Sequence, residues 1–196
     1  MNTAPSHRSA PGAGRIRQAG CRMTASGCTL VEAMIGLVIT VLLLGQALPM
    51  LTDLIARQRL LTQAAELETD LVLARSLAMT SGHTVRFAAY RTDSGGNCYV
   101  IHTGPAGACT CDGDAQARCN AAGEALRTFA PSQRSGIQVS VPSRPLAFDA
   151  GLGTVTPTAT LRLTDTAGRA IHQVINGLGR VRSCTPNPVW GGLHRC

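Results

Sequence analysis

The chain has 196 residues and a formal net charge of +7, and all 18 of its basic residues are arginine. This length suits one modest domain plus an anchor. Residues 127–196 hold 8 arginines against 2 acids, whereas residues 53–126 hold 6 against 8. The basic C-terminal third favours an anionic partner, with codon bias as the alternative explanation. Aromatic residues make up only 3% of the chain, which argues against recognition dominated by aromatic stacking.

The N-terminal region contains a basic stretch followed by an apolar one. Residues 1–27 hold four arginines and no acid, and residues 33–52 form an uncharged run long enough for a membrane helix. The positive-inside rule keeps the basic stretch in the cytoplasm and places the C-terminal domain outside. No small-residue cleavage site follows the run, which argues against a secretory signal peptide. An ordinary signal anchor is the simplest alternative.

Glu32 stands at the head of the apolar stretch, where a carboxylate costs roughly 2–3 kcal/mol in lipid and needs a partner. The string GCTLVE at residues 27–32 resembles the class III signal of type IV pilins and pseudopilins. The resemblance implies that a prepilin peptidase cuts after Gly27 and N-methylates Cys28. It also implies that Glu32 pairs with the N-terminal amine of a neighbouring subunit, since a cation makes a buried carboxylate tolerable.

Cys28 departs from the signal, in which phenylalanine is usual at this position. It raises the alternative of a lipoprotein with a lipidated cysteine. A lipoprotein signal places its apolar segment before the cysteine, whereas here the apolar run follows it. The order of the two features therefore favours peptidase cleavage between Gly27 and Cys28.

Helical periodicity continues beyond the apolar run and predicts one long helix from Thr29 to Ser81, capped by Gly82. Its second half carries an apolar stripe at spacings of three and four: Leu60, Ala64, Leu67, Leu71, Ala74 and Ala78. The predicted organisation is a leader at 1–27, a transmembrane or filament-core helix at 28–52, an amphipathic continuation at 53–82, and a β-rich extracytoplasmic domain at 83–196.

The remainder of the chain reads as short strands separated by Gly, Pro, Asn and Asp. The predicted strands are Thr84–Arg91, Cys98–Thr103, Gly136–Val141, Ala159–Thr164, Arg169–Asn176 and Arg180–Cys184. Residues 104–125 are predicted to be a long loop. The expected fold class is α+β, with a long N-terminal helix packed on a C-terminal antiparallel β domain.

Six cysteines in the downstream domain predict disulfides in an oxidising compartment, although the sequence leaves 15 connectivities open. These are Cys98, Cys109, Cys111, Cys119, Cys184 and Cys196. A metal site at the three cysteines of the loop is the less favoured alternative. Asp112-Gly113-Asp114 fits a solvated turn better than a calcium site. We therefore expect no metal and no other cofactor.

Two further segments resemble the FimT/GspH group of minor pilins and pseudopilins. They are LETDLVLARSLAMTSGHTVRF at 67–87 and VINGLGRVRSC at 174–184. FimT-type minor pilins carry a Gly-Arg-x-Arg motif that binds DNA in natural transformation, which implies this role for Gly179, Arg180 and Arg182. In an extended segment both arginines point to one face, where they can contact phosphates, and Gly179 lets the backbone approach. Arg169 and Arg195 extend the predicted patch.

The expected function is a minor pilin of a type IV pilus that binds double-stranded DNA for uptake. The alternative is a structural subunit without a DNA ligand, either a pilin that primes pilus assembly or a minor pseudopilin of type II secretion. Its arginines would then keep a solvated edge strand from aggregating. An enzyme is not expected, since no nucleophile, metal or phosphate-loop motif is found. Expected partners are other pilin subunits, the prepilin peptidase and the bacterial inner membrane, with the C-terminal domain in the periplasm.

Overall fold

The computed structural model describes residues 29–92, 96–112, 114, 116–131, 135–140, 142–186 and 190–196. The helix α1 spans Leu30–Ser81 and is long and apolar enough to cross a membrane. Thr29 caps its start, because its Oγ1 accepts a hydrogen bond of 3.3 Å from the Glu32 backbone N–H. Gly82 follows its end with a left-handed φ of 68°. The bounds of the predicted helix are therefore confirmed.

The chain forms two compact units that divide after Leu44. In the first unit the structure describes residues 29–44, which are exposed throughout. The second unit is Gly45–Cys196 and contains the hydrophobic core. Within it, α1 buries the predicted stripe: Leu60, Ala64, Leu67, Leu71, Ala74 and Ala78. The periodicity of this segment thus identified the packed face of the helix.

Strands fill the second unit after α1, and every described pairing between them is antiparallel. In chain order they are β1 Val85–Arg91, β2 Asn97–Thr103, β3 Cys109–Cys111, β4 Ala117–Cys119, β5 Ala125–Phe129, β6 Gln138–Val139, β7 Leu146–Phe148, β8 Val155–Thr156, β9 Ala159–Thr164, β10 Ala170–Ile175 and β11 Val181–Cys184. A five-stranded sheet has the order β5-β2-β1-β7-β8, and a four-stranded sheet has the order β11-β10-β9-β6. The α+β fold class is confirmed.

One core joins the buried stripe of α1 to residues from both sheets. Its fully buried members from the sheets include Phe87, Ile101, Leu146, Phe148, Leu161, Leu163, Ile171 and Ile175. Each such side chain contributes about 1.5–3 kcal/mol by leaving water. The core therefore holds the four-stranded sheet by its inner face and leaves the other face outward.

The prediction of a long loop at residues 104–125 is wrong, because this segment contains β3 and β4. These strands pair as a hairpin in which Cys109 lies opposite Cys119. The Tyr90 hydroxyl donates a 2.8 Å hydrogen bond to the Cys109 carbonyl and so fastens the hairpin to the five-stranded sheet. Strands of three residues carry too little periodicity to be recognised in a sequence.

Asp70 lies on α1 outside the apolar stripe, and its residue exposure is only 2%. The Tyr99 hydroxyl donates a 2.7 Å hydrogen bond to one of its oxygens, and Arg127 Nε lies 2.6 Å from the other. Burial and the bond to Asp70 raise the pKa of the Tyr99 phenol far above its usual value, so Tyr99 remains a donor. This buried network ties α1 to the five-stranded sheet.

Candidate functional site

The hairpin between β10 and β11 positions the predicted arginine motif. The Asn176 backbone N–H donates to the Arg180 carbonyl at 3.1 Å, and the Arg180 N–H donates to Asn176 Oδ1 at 2.9 Å. The Gly179 N–H donates to the Asn176 carbonyl at 2.9 Å and closes the turn. Arg180 therefore sits where the turn ends, one residue before β11 begins, and both it and Arg182 are exposed.

Strand alternation gives the four-stranded sheet an inner and an outward face. On β10, Ile171, Gln173 and Ile175 are buried, so His172 and Val174 point outward. Arg182 on β11 lies opposite Val174, and Arg162 on β9 lies opposite His172. Directly opposed residues share a face. The outward side of the sheet thus carries, in order across the strands, Arg182 on β11, Val174 and His172 on β10, and Thr160, Arg162 and Thr164 on β9. We call it the basic face.

The C-terminal segment brings Arg195 beside Arg182. The Thr185 N–H donates to the His194 carbonyl at 2.9 Å, and the Cys196 N–H donates to the Thr185 carbonyl at 3.0 Å. A disulfide joins Cys184 to Cys196. A cleft of about 410 Å³ results, lined by Val174, Arg182, Ser183, Cys184, His194, Arg195 and Cys196. The side chains of Arg182 and Arg195 therefore border one surface depression.

His172 lies between the arginines of the basic face. Its Nδ1 is 3.6 Å from Cys196 Sγ, and Arg162 is its partner on β9. Burial, with the positive charge of Arg162, lowers the pKa of His172 from 6.5. At neutral pH its imidazole is therefore uncharged, and arginines supply the positive charge of the face.

Gly179 is needed for packing inside the protein. It has a φ of 72°, and a Cβ added to it would lie 2.3 Å from the Gly153 carbonyl oxygen. Arg75 Nε donates a 3.0 Å hydrogen bond to that same oxygen. The sequence interpretation treated Gly179 as a point of close approach for a ligand. The structure instead explains the glycine by the contact of this turn with Gly153 and with α1.

Arg169 is not available to form a patch with Arg180 and Arg182, because acidic side chains already bind it. Its guanidinium pairs with Asp165, with Nη2 2.6 Å from Oδ2, and with Asp53 on α1. Its side chain is only 17% exposed, and these two ion pairs raise its pKa although burial opposes its charge. The hydrogen bond from Arg169 in turn lowers the pKa of Asp53. Arg169 therefore anchors the β domain to α1, which corrects its place in the expected patch.

The six candidate cysteines of the downstream domain form three disulfides: Cys98–Cys111, Cys109–Cys119 and Cys184–Cys196. Across the described residues, no group of His, Cys, Asp or Glu is arranged to hold a metal ion. Asp112 Oδ1 accepts hydrogen bonds from the backbone N–H groups of Asp114 and Gln116. This carboxylate thus closes a turn.

The residues predicted for processing and assembly fall at the start of the chain. Glu32 lies in the first turn of α1 and is exposed. An acidic residue there is favoured by the helix dipole. Gly27 and Cys28 lie outside the described residues.

Arg162 was not among the arginines that the sequence predicts for the patch. Its alternation with Leu161 and Leu163 shows that it points away from the core. The sequence does not show that β9 pairs with β10. This pairing places Arg162 on the same face as Arg182. That pairing is non-local, so the arginine motif alone could not indicate it.

The model of one protein family, described as type II transport protein GspH, matches residues 63–179. The match covers more than half of the chain and includes the buried stripe of α1 from Ala64 onward, every strand except β11, and Gly179. No curated protein and no solved structure matches the chain significantly. The family, the long apolar N-terminal helix and the antiparallel β domain agree with one another. The chain therefore belongs to the GspH family of pilin-like proteins.

Proposed function

We propose that this protein is a minor pilin that binds double-stranded DNA through its basic face, for uptake of DNA in natural transformation. The supporting observation is the exposure and the lack of acidic partners of three arginines, Arg180, Arg182 and Arg195. All three are exposed, and within the described part of the chain none pairs with a carboxylate. Unpaired guanidinium groups are available to replace the counterions of a phosphate backbone.

The contrast with other arginines of the domain strengthens this proposal. Arg57, Arg118, Arg127 and Arg169 each lie within 4.0 Å of an aspartate or glutamate. A phosphate would have to compete with a carboxylate at each of these positions. The arginines of the hairpin and of the C-terminal segment have no such competitor among the described residues. Contacts of this kind position a duplex without reading its sequence.

Trp190 is not expected to stack on bases. It is partly buried and packs against the hydrophobic core. The proposed binding mode therefore rests on charge and depends steeply on salt concentration.

A second candidate function is a structural subunit of a type II secretion pseudopilus without a DNA ligand. The description of the family favours it. So does the internal packing role of Gly179, because the glycine of the motif then needs no ligand to explain it. β11 is an edge strand of its sheet. In this alternative Arg180 and Arg182 keep that edge from pairing with another chain.

DNA titration separates the two candidates. The full chain in nonionic detergent is titrated into a labelled duplex at several salt concentrations, next to the double variant Arg180→Gln/Arg182→Gln. The proposal expects the parent to bind and the double variant to lose most of that affinity, with a shallower salt dependence. Arg118→Gln is the control, since Arg118 is exposed on the β3–β4 hairpin and its loss changes the charge by one unit. If the parent does not bind DNA, or if the double variant binds DNA as tightly as the parent, the DNA-binding proposal fails and the structural function is favoured.

Installation in the bacterial inner membrane is a separate part of the proposal. We propose that prepilin peptidase cleaves between Gly27 and Cys28, that the β domain faces the periplasm, and that Glu32 pairs with the N-terminal amine of a neighbouring subunit. The exposure of Glu32 in the single chain supports such a contact. Mass spectrometry of the protein from membranes is expected to find N-methylated Cys28 as the first residue. A chain that retains Gly27, or a lipidated Cys28, contradicts this route.

A further inference from the structure

The basic face does not end at Arg162 but continues into a polar cleft at the far edge of the sheet. The cleft has a volume of about 400 Å³. Its polar lining side chains include Arg91, Asn97, Gln138, Ser140, Arg162 and Thr164. Arg91 ends β1 and Asn97 begins β2, so the adjacent ends of these two strands lie beside the edge of the other sheet there. The described part of this lining contains arginines, amides and hydroxyl groups but no carboxylate.

The strand register explains why Arg162 points into this cleft. Gln138 on β6 lies opposite Thr164 on β9. Two residues further along each strand, Ser140 and Arg162 are joined by two hydrogen bonds of 2.8 Å: the Ser140 N–H donates to the Arg162 carbonyl, and the Arg162 N–H donates to Ser140 Oγ. The backbone of Arg162 is thereby fixed, while its side chain is exposed and has no ion pair with a described carboxylate. The exposed side chain of Arg91 also has no ion pair with a described carboxylate. Asp93, which follows soon after it, lies outside the described residues.

We propose that Arg162 and Arg91 form a second phosphate-binding position, so that the DNA backbone crosses the four-stranded sheet from the arginine motif to this cleft. The inference rests on the proposed DNA-binding function and extends its footprint. Two guanidinium groups supply fork-like donors suited to phosphate oxygens, and the side-chain amides of Asn97 and Gln138 supply further donors. Arg162 acts as the link between the cleft and the motif.

The spacing indicates that Arg162 and Arg182 contact different phosphates. They lie two strands apart and are offset by one outward position, which places their Cα atoms about 12 Å apart for strands spaced by about 4.8 Å. One DNA strand carries a phosphate about every 3.4 Å along the axis. If the line joining the two arginines runs along the duplex axis, a separation of about 12 Å spans about three or four phosphates of one strand. Each arginine should then make its own contribution to the salt dependence of binding.

The test uses the full chain in nonionic detergent with a labelled duplex of mixed sequence, and it measures affinity by fluorescence anisotropy at several salt concentrations. The variants are Arg162→Gln, Arg91→Gln and their combination. We expect each single variant to bind about two- to fivefold more weakly. The slope of log affinity against log salt should become shallower by about 0.9 for each phosphate that the variant no longer neutralises. Melting followed by Trp190 fluorescence checks that each variant is folded.

The controls separate this inference from the function on which it rests. Arg118→Gln removes the same charge from a different surface and should change the slope little. If the parent binds and Arg180→Gln/Arg182→Gln impairs it, while Arg162→Gln behaves as Arg118→Gln does, the second phosphate position is refuted and DNA binding stands. If Arg162→Gln weakens binding and the motif variant does not, the proposed path of the DNA backbone from the motif to the cleft is refuted. A parent that fails to bind overturns both proposals.

Discussion

Substitution of Gly179 by alanine should destabilise the β domain, because this position combines an unfavourable backbone conformation with a close contact. Its φ of 72° lies in the left-handed region. The added Cβ would lie 2.3 Å from the carbonyl oxygen of Gly153 and 3.0 Å from the Arg75 side chain. The arginine side chain can move, but the carbonyl oxygen belongs to a turn that the hydrogen bond from Arg75 holds in place.

The expected magnitude follows from these two effects. A non-glycine residue in the left-handed region costs about 1–2 kcal/mol. Relief of the overlap by a backbone shift costs about 1–3 kcal/mol more. The free energy of unfolding should therefore fall by about 2–5 kcal/mol. For a domain of this size, that lowers the midpoint of thermal unfolding by about 4–20 °C.

Gly177 offers a matched control in the same turn. An added Cβ there meets only the Thr158 Cγ2 atom, at 3.8 Å, and Gly177 does not have a left-handed φ. Gly177→Ala should therefore leave the midpoint within a few degrees of the parent or raise it slightly. Trp190, the single tryptophan of the chain, packs against the core and reports unfolding by fluorescence. Equal midpoints for Gly179→Ala and the parent, or equal losses in both variants, would refute the reasoning.

Two further predictions concern charged groups. Arg127→Gln should lower the free energy of unfolding by about 1–3 kcal/mol, because buried Asp70 keeps the hydrogen bond from Tyr99 but loses the guanidinium group that neutralises it. Denaturant titration measures this change, with Arg118→Gln as a control that should leave the free energy of unfolding unchanged. His172 has a lowered pKa, so its stabilising contribution is present above about pH 6.5 and is lost as the pH falls through its folded pKa. The midpoint of His172→Gln should therefore fall less on acidification than that of the parent, and an equal fall contradicts this role.

The sequence by itself predicted the elements whose signals are local. The helix Leu30–Ser81 and its buried stripe follow from a period of three to four residues, and both are observed. All six predicted strands coincide with observed strands, because alternation and bounding turn residues mark them. Five of the described strands were missed: β3, β4, β5, β7 and β8. All but β5 have only two or three residues, which cannot display a period, and the pairing of β3 with β4 is supported by a disulfide.

Individual residues on these elements were harder to interpret, because their roles depend on what the fold places beside them. Gly179 was expected to face a ligand, but the Gly153 carbonyl lies against it. Arg169 was expected in the patch, yet two carboxylates hold it, one of them on α1. A motif shows which residue types are present, but it does not show which partners are already within reach.

The amino-acid sequence thus determined one long helix that is apolar in its first half and amphipathic in its second, a β domain with six cysteines, and an excess of arginine near the C-terminus. Only the tertiary structure decided which arginines share a surface. Strand order places Arg162 on the same face as Arg182, and the Cys184–Cys196 disulfide holds Arg195 next to Arg182. The physical reason is that pairing between distant strands sets the position of a charge, whereas local periodicity sets only the side of the strand from which it projects.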